Sequence, residues 1–208
     1  MTTTRFALRF SYGHDTTVAL LLAAGADMHA NDDQALRMAV DQGHVAVVRR
    51  LLAAGIDVHI DNDVALRIAA EQGNDALVAL LLEAGANVHA NKDDALIAAA
   101  CYGRDAVVAL LLAAGADVHA EDDAALRIAA GDGQDVFVAR LIAVGADVHA
   151  ADDEALRAAV ARSQVAQVTV VAQLLAADDD VHARNDEALR VATELGHDAI
   201  LALLHAAS

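Results

Sequence analysis

Two apolar patterns alternate along the chain, and both are helical. In Ala65–Leu66–Arg67–Ile68–Ala69–Ala70 the apolar residues fall on one helical face, and the small alanines let another helix approach closely. The segment that follows, residues 75–82 (DALVALLL), is apolar almost throughout. We therefore predict a first helix with one exposed face, followed by a second helix that is buried between neighbouring repeats.

Glycines divide these segments at a constant interval of 30 residues. They form two series, Gly25, Gly55, Gly85, Gly115 and Gly145, and Gly13, Gly43, Gly73, Gly103 and Gly133. Glycine commonly ends a helix in the left-handed conformation. Two glycines in every 30 residues therefore predict two helix ends per repeat.

A repeat of two short helices cannot bury its own apolar face, so neighbouring repeats must stack. We count about seven repeats, at residues 5–30, 31–60, 61–90, 91–120, 121–150, 151–183 and 184–208. They predict one array over residues 1–208. We interpret the first repeat, with Phe6 and Arg9 at core positions, and the last repeat, which ends at Ser208, as caps.

The repeated phrases resemble the ankyrin repeat: Ala–Leu–Arg–Ile–Ala–Ala, then a glycine and an apolar helix, then Leu–Leu–Ala–Ala–Gly–Ala–Asp–Val. The resemblance covers nearly the whole chain and implies an all-α, ankyrin-type helical solenoid. An ankyrin repeat has about 33 residues, and the three that are missing here belong to the family's β-hairpin finger. We expect shortened fingers. The resemblance also implies protein binding through a concave face, without catalysis.

The composition limits the classes of partner that the chain is expected to bind. The formal net charge is −17, which disfavours nucleic acids and anionic membranes and favours a basic protein partner. One cysteine, Cys101, cannot form a disulfide within the chain, so we expect a reducing cytoplasm. We also expect a monomer with no cofactor. A narrower hypothesis is that the protein neutralises a basic toxin.

Two repeats depart from the pattern. In the fourth, Ile97 replaces the repeated arginine and Cys101–Tyr102 replace polar pairs such as Glu71–Gln72. An apolar and aromatic spot ringed by acids is typical of a binding hot spot, although exposed positions also drift neutrally. In the sixth, both glycines are replaced and three residues are added, most simply within 165–167, so we expect a longer or offset second helix.

The candidate chemistry is repeated rather than concentrated. One histidine position recurs, as His29, His59, His89, His119, His149 and His182. The family usually has asparagine there, so we expect each histidine to bind loop backbone groups. One histidine per repeat supplies too few of the three or four ligands that zinc needs. Protonation of the row below about pH 6.5 would offset part of the acidic charge, so a metal- or pH-responsive array is one alternative function.

Paired acids also recur, for example Asp122–Asp123. An active site needs one special place, whereas these pairs stand in most repeats, so we interpret them as helix caps and a solvated edge. Gly131–Asp132–Gly133 lacks the preceding strand of a phosphate loop. We find no converging nucleophile and base, and we predict no catalytic residue and no metal ligand.

The predicted contact residues precede the first-helix glycines or stand at finger positions. They are Tyr12, Gln34, Asp41, Gln42, Val64, Glu71, Gln72, Asp94, Cys101, Tyr102, Asp132, Glu154 and Arg162, with Ala124 as a further finger position. The remaining alternative is a structural or engineered scaffold without a dedicated partner, because the second to fifth repeats are so regular.

Overall fold

A computed structural model describes Leu20 and residues 34–162, 165–177 and 183–207. These residues form twelve helices and no strand, as the predicted all-α fold requires. None of the twelve is both long enough and apolar enough to cross a membrane. Apart from Leu20, the predicted first repeat, with Tyr12 and His29, lies outside the described residues, as do Ser163, Asp178 and His182.

Each described repeat contributes a first and a second helix. The first helices are α1 (Gln34–Asp41), α3 (Ile60–Gln72), α5 (Asp94–Cys101), α7 (Ala120–Asp132), α9 (Ala150–Ala161) and α11 (Ala183–Leu195). The second helices are α2 (Val45–Ala53), α4 (Asp75–Glu83), α6 (Asp105–Ala113), α8 (Asp135–Ala143), α10 (Val165–Ala176) and α12 (Asp198–Ala207).

The chain divides into two compact units between Ala116 and Asp117. In the first unit, α3 packs on α1 and α5, while α4 packs on α2 and α6. In the second unit, α9 packs on α7 and α11, while α10 packs on α8 and α12. First helices therefore stack on first helices and second helices on second helices within each unit. The single array over residues 1–208 stays a prediction.

The core is built from the same positions in each repeat. In α6, Val107, Val108 and Leu111 are fully buried, and α3 contributes Leu66 and Ala69. Burial of a leucine or valine side chain is worth roughly 1.5–3 kcal/mol, so stacking stabilises each repeat through its neighbours. The prediction that second helices are buried holds for their inner faces alone, because outward positions such as Ala76 and Ala106 are exposed.

Glycine ends the helices as predicted. At the end of α3, Gly73 is left-handed (φ 71°, ψ 32°). The N–H groups of Gly73 and Asn74 then bond the carbonyls of Ala70 and Ala69, both at 3.0 Å. This arrangement satisfies carbonyls that a helix end leaves without partners.

A left-handed turn stands where the family has its finger. In α3, Asp61, Asn62 and Asp63 have φ between 51° and 57°, and the right-handed helix continues from residue 64. Residues 91–93, 121–123 and 151–153 repeat this turn. The left-handed region costs roughly 1–2 kcal/mol per residue and is tolerated best by Asn and Asp. Nine of the twelve turn residues are Asn or Asp, so the sequence is suited to the turn.

The sixth repeat has the longer second helix that its extra residues predict. Helix α10 has 12 residues where α8 has 9. Gln167 stands three residues before the buried Val170, as Gln134 stands three before the buried Phe137. With Val170 aligned on Phe137, α8 corresponds to residues 168–176, so the extra helical residues of α10 are 165–167, the predicted place of the addition. Gln167 is fully buried, and its Nε2 donates to the Gly131 carbonyl at 2.9 Å.

The glycine at the end of α3 allows a test of this packing. A Cβ on Gly73 would lie 2.7 Å from Cδ of Arg104, whereas a Cβ on Gly43, which has the same φ of 71°, would lie 3.6 Å from Asn74 Nδ2. We expect both Gly73→Ala and Gly43→Ala to lose about 1–2 kcal/mol of unfolding free energy from backbone strain. Gly73→Ala should lose about 1 kcal/mol more, because Arg104 must release its hydrogen bond to the Glu71 carbonyl.

Urea unfolding followed by circular dichroism measures both losses. In an Arg104→Ala background the difference between the two glycine variants should disappear. Equal losses with Arg104 present would contradict the packing role of this arginine.

Candidate functional site

Six of the residues predicted to contact a partner lie together at the C-terminal ends of first helices in the first compact unit. They stand just before the left-handed glycines that end α1, α3 and α5, so one helix-ending motif places them alike. All are exposed except Glu71, which is about one-third exposed. We call this set the helix-end face: Asp41, Gln42, Glu71, Gln72, Cys101 and Tyr102.

Hydrogen bonds fix this face to the stacked repeats. The Gln72 side chain donates from Nε2 to the Asp41 carbonyl at 2.7 Å. Arg104 donates from Nε to the Glu71 carbonyl at 2.9 Å. Each bond gives a partner to a carbonyl at a helix C-terminus. Each also joins one repeat to the repeat before it, so the backbone beneath the face is held by its neighbours.

Glu71 is the centre of a polar network on the face. Its carboxylate accepts from Arg67 Nη1 at 3.1 Å, and Arg67 Nε lies 3.6 Å from Asp94. A hydrogen bond to Glu71 and the negative charge of that carboxylate raise the pKa of the Tyr102 phenol, because phenolate beside a carboxylate is disfavoured.

The predicted finger residues stand on helices instead. Gln34 and Asp94 are the first residues of α1 and α5, and Val64 and Glu154 follow directly after left-handed turns. These four are partly exposed. Ala124 is buried at 6% exposure, so it cannot contact a partner. The fingers were expected from the family pattern, but the three-residue turn takes their place.

In the second compact unit the predicted contacts are paired with arginine. Arg162 bonds the carboxylate of Asp132, and Arg127 bonds the carboxylate of Glu154. Arg162, Asp132 and Glu154 are all accessible. Each pair joins side chains from successive repeats, and part of the predicted acidic surface is therefore locally neutralised.

The role of the arginine in Ala–Leu–Arg was not predicted. Arg67 and Arg127 lie against acids in the following repeat. The signal was an acid 27 residues after each arginine, at Asp94 and Glu154. Such exposed pairs contribute about 0–1 kcal/mol each, so they align side chains more than they stabilise the fold.

The histidine row binds carboxylates rather than the loop backbone. His59 Nδ1 lies 3.1 Å from Asp63, and His149 Nδ1 lies 2.7 Å from Asp153. His89 and His119 make the same contact with Asp93 and Asp123, each four residues later in the sequence. An ionised carboxylate can only accept, so Nδ1 carries the hydrogen.

The aspartate that contacts each of these histidines is a buried hydrogen-bond acceptor. Asp63 and Asp123 are 5% and 3% exposed. Their Oδ1 atoms also accept the backbone N–H of Asn87 and of Asp147, which follow the second helix of the same repeat, at 2.8 Å. Asp93, at the start of α5, makes no side-chain capping hydrogen bond. The predicted caps are therefore wrong here, because the carboxylate turns inward to the histidine.

These bonds form a chain from repeat to repeat. Asp63 accepts from Asn87 N, Asn87 Oδ1 accepts from His89 N at 3.0 Å, and the His89 ring binds Asp93. Among the described residues, no group of three or more His, Cys, Asp and Glu could hold a metal ion. In the described repeats the histidines make structural contacts, and the metal- or pH-responsive array stays an alternative prediction.

The comparisons with known proteins agree with this geometry. Residues 59–122 match a family model of three ankyrin repeats, and residues 34–63 match a single ankyrin repeat. Comparison with curated protein sequences gives no match.

Three solved structures are similar over most of the chain. An ankyrin repeat domain from Acinetobacter baumannii has 26% identity and a TM-score of 0.75, covering 85% of this chain and 98% of that one. The human ASB11 ankyrin repeat domain has 24% identity, a TM-score of 0.84 and coverages of 98% and 97%. The ankyrin repeat domain of Bcl-3, of the IkappaB protein family, has 23% identity, a TM-score of 0.76 and coverages of 96% and 97%.

Adjacent acids provide a matched test of the buried carboxylate. Asp123 is buried and bonded to His119 and Asp147 N, whereas Asp122 beside it is exposed. We expect Asp123→Ala to lower the unfolding free energy by about 2–3 kcal/mol, because it leaves a backbone N–H and a histidine without their acceptor. Asp122→Ala should change it by less than about 0.5 kcal/mol. Equal losses in urea unfolding would contradict the structural role of Asp123.

The Tyr102–Glu71 contact predicts a shifted titration. In a Tyr12→Phe background Tyr102 is the sole tyrosine, since the chain has two tyrosines and no tryptophan. Phenolate absorbance should appear at higher pH than the ordinary value of about 10, and Glu71→Gln should move the midpoint down.

The raised pKa of Tyr102 also sets the direction in which pH changes the stability of the fold. The raised pKa means that the folded chain holds the phenol proton more tightly than the unfolded chain does. The contact therefore stabilises the fold below pH about 10, and this contribution is lost as pH rises through the folded-state pKa. A Tyr102 midpoint that Glu71→Gln leaves unchanged would contradict the contact.

Proposed function

Because the chain belongs to the ankyrin repeat family, whose repeats generally mediate protein–protein interaction, we propose that it binds a protein partner through the helix-end face. Ankyrin repeat domains are typically non-enzymatic binding modules, and we propose that this chain likewise binds without catalysis.

One observation supports the proposal: exposed side chains differ from repeat to repeat, whereas the buried residues and the glycines beneath them stay the same. At the position of Tyr102 the neighbouring repeats have Gln42 and Gln72, while buried Ala–Leu pairs and left-handed glycines recur beneath them. Invariant core positions are explained by stacking. The variable exposed positions have no such explanation, and a rigid frame presents them at low entropic cost to binding.

Charge supports a basic partner. A net charge of −17 attracts cationic proteins over long distances. The arginine pairs on Glu71, Asp132 and Glu154 leave less local negative charge on the predicted contacts than the sequence alone indicates. We infer that charge steers the encounter, while exposed polar and aromatic side chains select the partner.

The narrower parts of the proposal follow from this chemistry. We propose that the protein acts as a monomer in the cytoplasm, where its exposed cysteine, Cys101, would stay reduced. A basic toxin that the acidic chain neutralises is the most specific version, and it rests on charge alone.

Two triple variants with the same charge change separate recognition from steering. Gln42→Lys, Gln72→Lys and Tyr102→Lys together alter the helix-end face. Ala46→Lys, Ala76→Lys and Ala106→Lys together alter exposed positions on the second helices α2, α4 and α6. A protein captured from the source cell at moderate salt should be purified and its binding to both variants compared. We expect the face variant to lose binding about tenfold or more, and the second-helix variant to stay near wild type.

Equal losses in both variants would show that net charge alone governs binding and would contradict a specific face. Binding that survives the face variant would place the interface elsewhere. An empty capture at moderate salt would favour the alternative of a scaffold without a dedicated partner.

A further inference from the structure

One described first helix presents apolar side chains where the others present charge. In α5, Ile97 stands at the position that arginine holds in the other described first helices, and it is partly exposed. Cys101 ends the helix and Tyr102 follows it; both are exposed, Tyr102 by 53%. Residues four apart are neighbours on a helix surface. Ile97 and Cys101 therefore lie side by side, and with Tyr102 they form one spot, which we call the α5 spot.

The same positions in other first helices show what the α5 spot lacks. In α3, Arg67 Nη1 donates to the Glu71 carboxylate at 3.1 Å, four residues later. In α11, Arg190 Nη1 lies 3.0 Å from Glu194 in the same way. Isoleucine and cysteine at these positions remove a charge of each sign together. The α5 spot therefore exchanges ionic for apolar surface without changing the net charge.

The charges beside the α5 spot are already paired. Arg67 bonds Glu71, and its Nε also lies 3.6 Å from Asp94, which stands about one helical turn before Ile97. Arg104 donates from Nε to the Glu71 carbonyl at 2.9 Å. A cation of a partner would meet two arginines here, and an acid would meet two carboxylates. An uncharged apolar side chain avoids both penalties, because it needs no counter-charge.

We propose that the α5 spot binds one large apolar side chain, of the size of leucine or methionine, from a basic protein partner. Contact removes apolar surface of both proteins from water, while the net charge of −17 attracts the basic remainder of the partner. An aromatic residue among apolar neighbours is also typical of a binding hot spot. The inference rests on the proposed function and specifies the chemistry at one point of the helix-end face.

A double variant without a change in net charge tests this anchor. Ile97→Arg with Cys101→Glu installs the ion pair that α3 already carries, so the variant should fold normally. The matched control, Val136→Arg with Val144→Glu, makes the same exchange at exposed positions of α8 and directly after it. Circular dichroism checks that both variants keep the helix content of wild type.

A phage-displayed library of random dodecapeptides supplies the probe. Selection on wild type at moderate salt should enrich peptides that share one large apolar residue among lysines and arginines. We expect the double variant to bind synthetic copies about ten- to hundredfold more weakly than wild type, because the burial of a leucine-sized side chain is lost. The control should stay within about threefold, and so should Cys101→Ala, which removes the thiol but keeps an apolar side chain.

Substitution on the peptide closes the cycle. Replacement of the shared apolar residue by serine should weaken binding to wild type as much as the double variant does, and should cost little more when both changes are combined. Such coupling would assign the peptide's apolar side chain to the α5 spot.

Alkylation of Cys101 locates the contact independently. Cys101 is the one cysteine of the chain and is exposed, so N-ethylmaleimide labels a single site that mass spectrometry can follow. A saturating selected peptide should slow this labelling several-fold, because the apolar side chain covers the thiol. The serine peptide at the same concentration should leave the rate unchanged.

The outcomes separate this inference from the proposed function. If the double variant binds the selected peptides as tightly as wild type, the anchor is wrong, and the capture experiment still tests whether the helix-end face binds protein. Selected peptides without a shared apolar residue, no enriched peptide at all, or unprotected Cys101 would also overturn it. A captured protein that binds the lysine variant of the face weakly and the double variant normally would support the face and reject the anchor.

Discussion

The structure of each repeat depends on one buried carboxylate. Asp63 lies inside the protein, where an ionised group without partners would be costly, and it accepts from the His59 ring and from the backbone of Asn87. The histidine contact joins the two sides of the left-handed turn, and the backbone contact ties the start of the first helix to the segment that follows the second helix of the same repeat. A three-residue turn can therefore replace a longer hairpin without leaving buried backbone groups unpaired.

The two ends of a first helix make different hydrogen bonds to segments outside the helix. At its start, the buried aspartate accepts from the segment that follows the second helix of the same repeat, as Asp123 does from Asp147 N. At its end, carbonyls accept from the following repeat, through Arg104 in the first compact unit and through Gln167 in the second. The donors differ in type while the acceptor is always backbone. The frame therefore tolerates sequence changes near the helix-end face.

Features that depend on one residue type could be predicted, and features that depend on a contact between residues could not. Glycine spacing gave the helix ends because left-handed termini depend on one residue. The turn at residues 61–63 was not predicted, because a deletion relative to a family pattern does not state which conformation replaces it. The aspartate was assigned as a cap because its neighbours in sequence suggest one. Its real partner, His59, stands four residues earlier, and His-x-x-x-Asp recurring in each repeat was the overlooked signal.

The residues of the helix-end face are accessible, and their predicted role in binding stays a prediction, whereas their local charge was misjudged. Counting acids indicates a strongly negative surface, but Arg67 and Arg127 reach acids in the next repeat and neutralise them in part. Specificity on such a surface cannot come from net charge, since paired acids attract a cation weakly. It must come from a position where the ion pairing is incomplete and a large side chain is accessible. At Tyr102 the carboxylate of Glu71 raises the pKa of an exposed phenol despite Arg67, and that combination does not recur at Gln42 or Gln72.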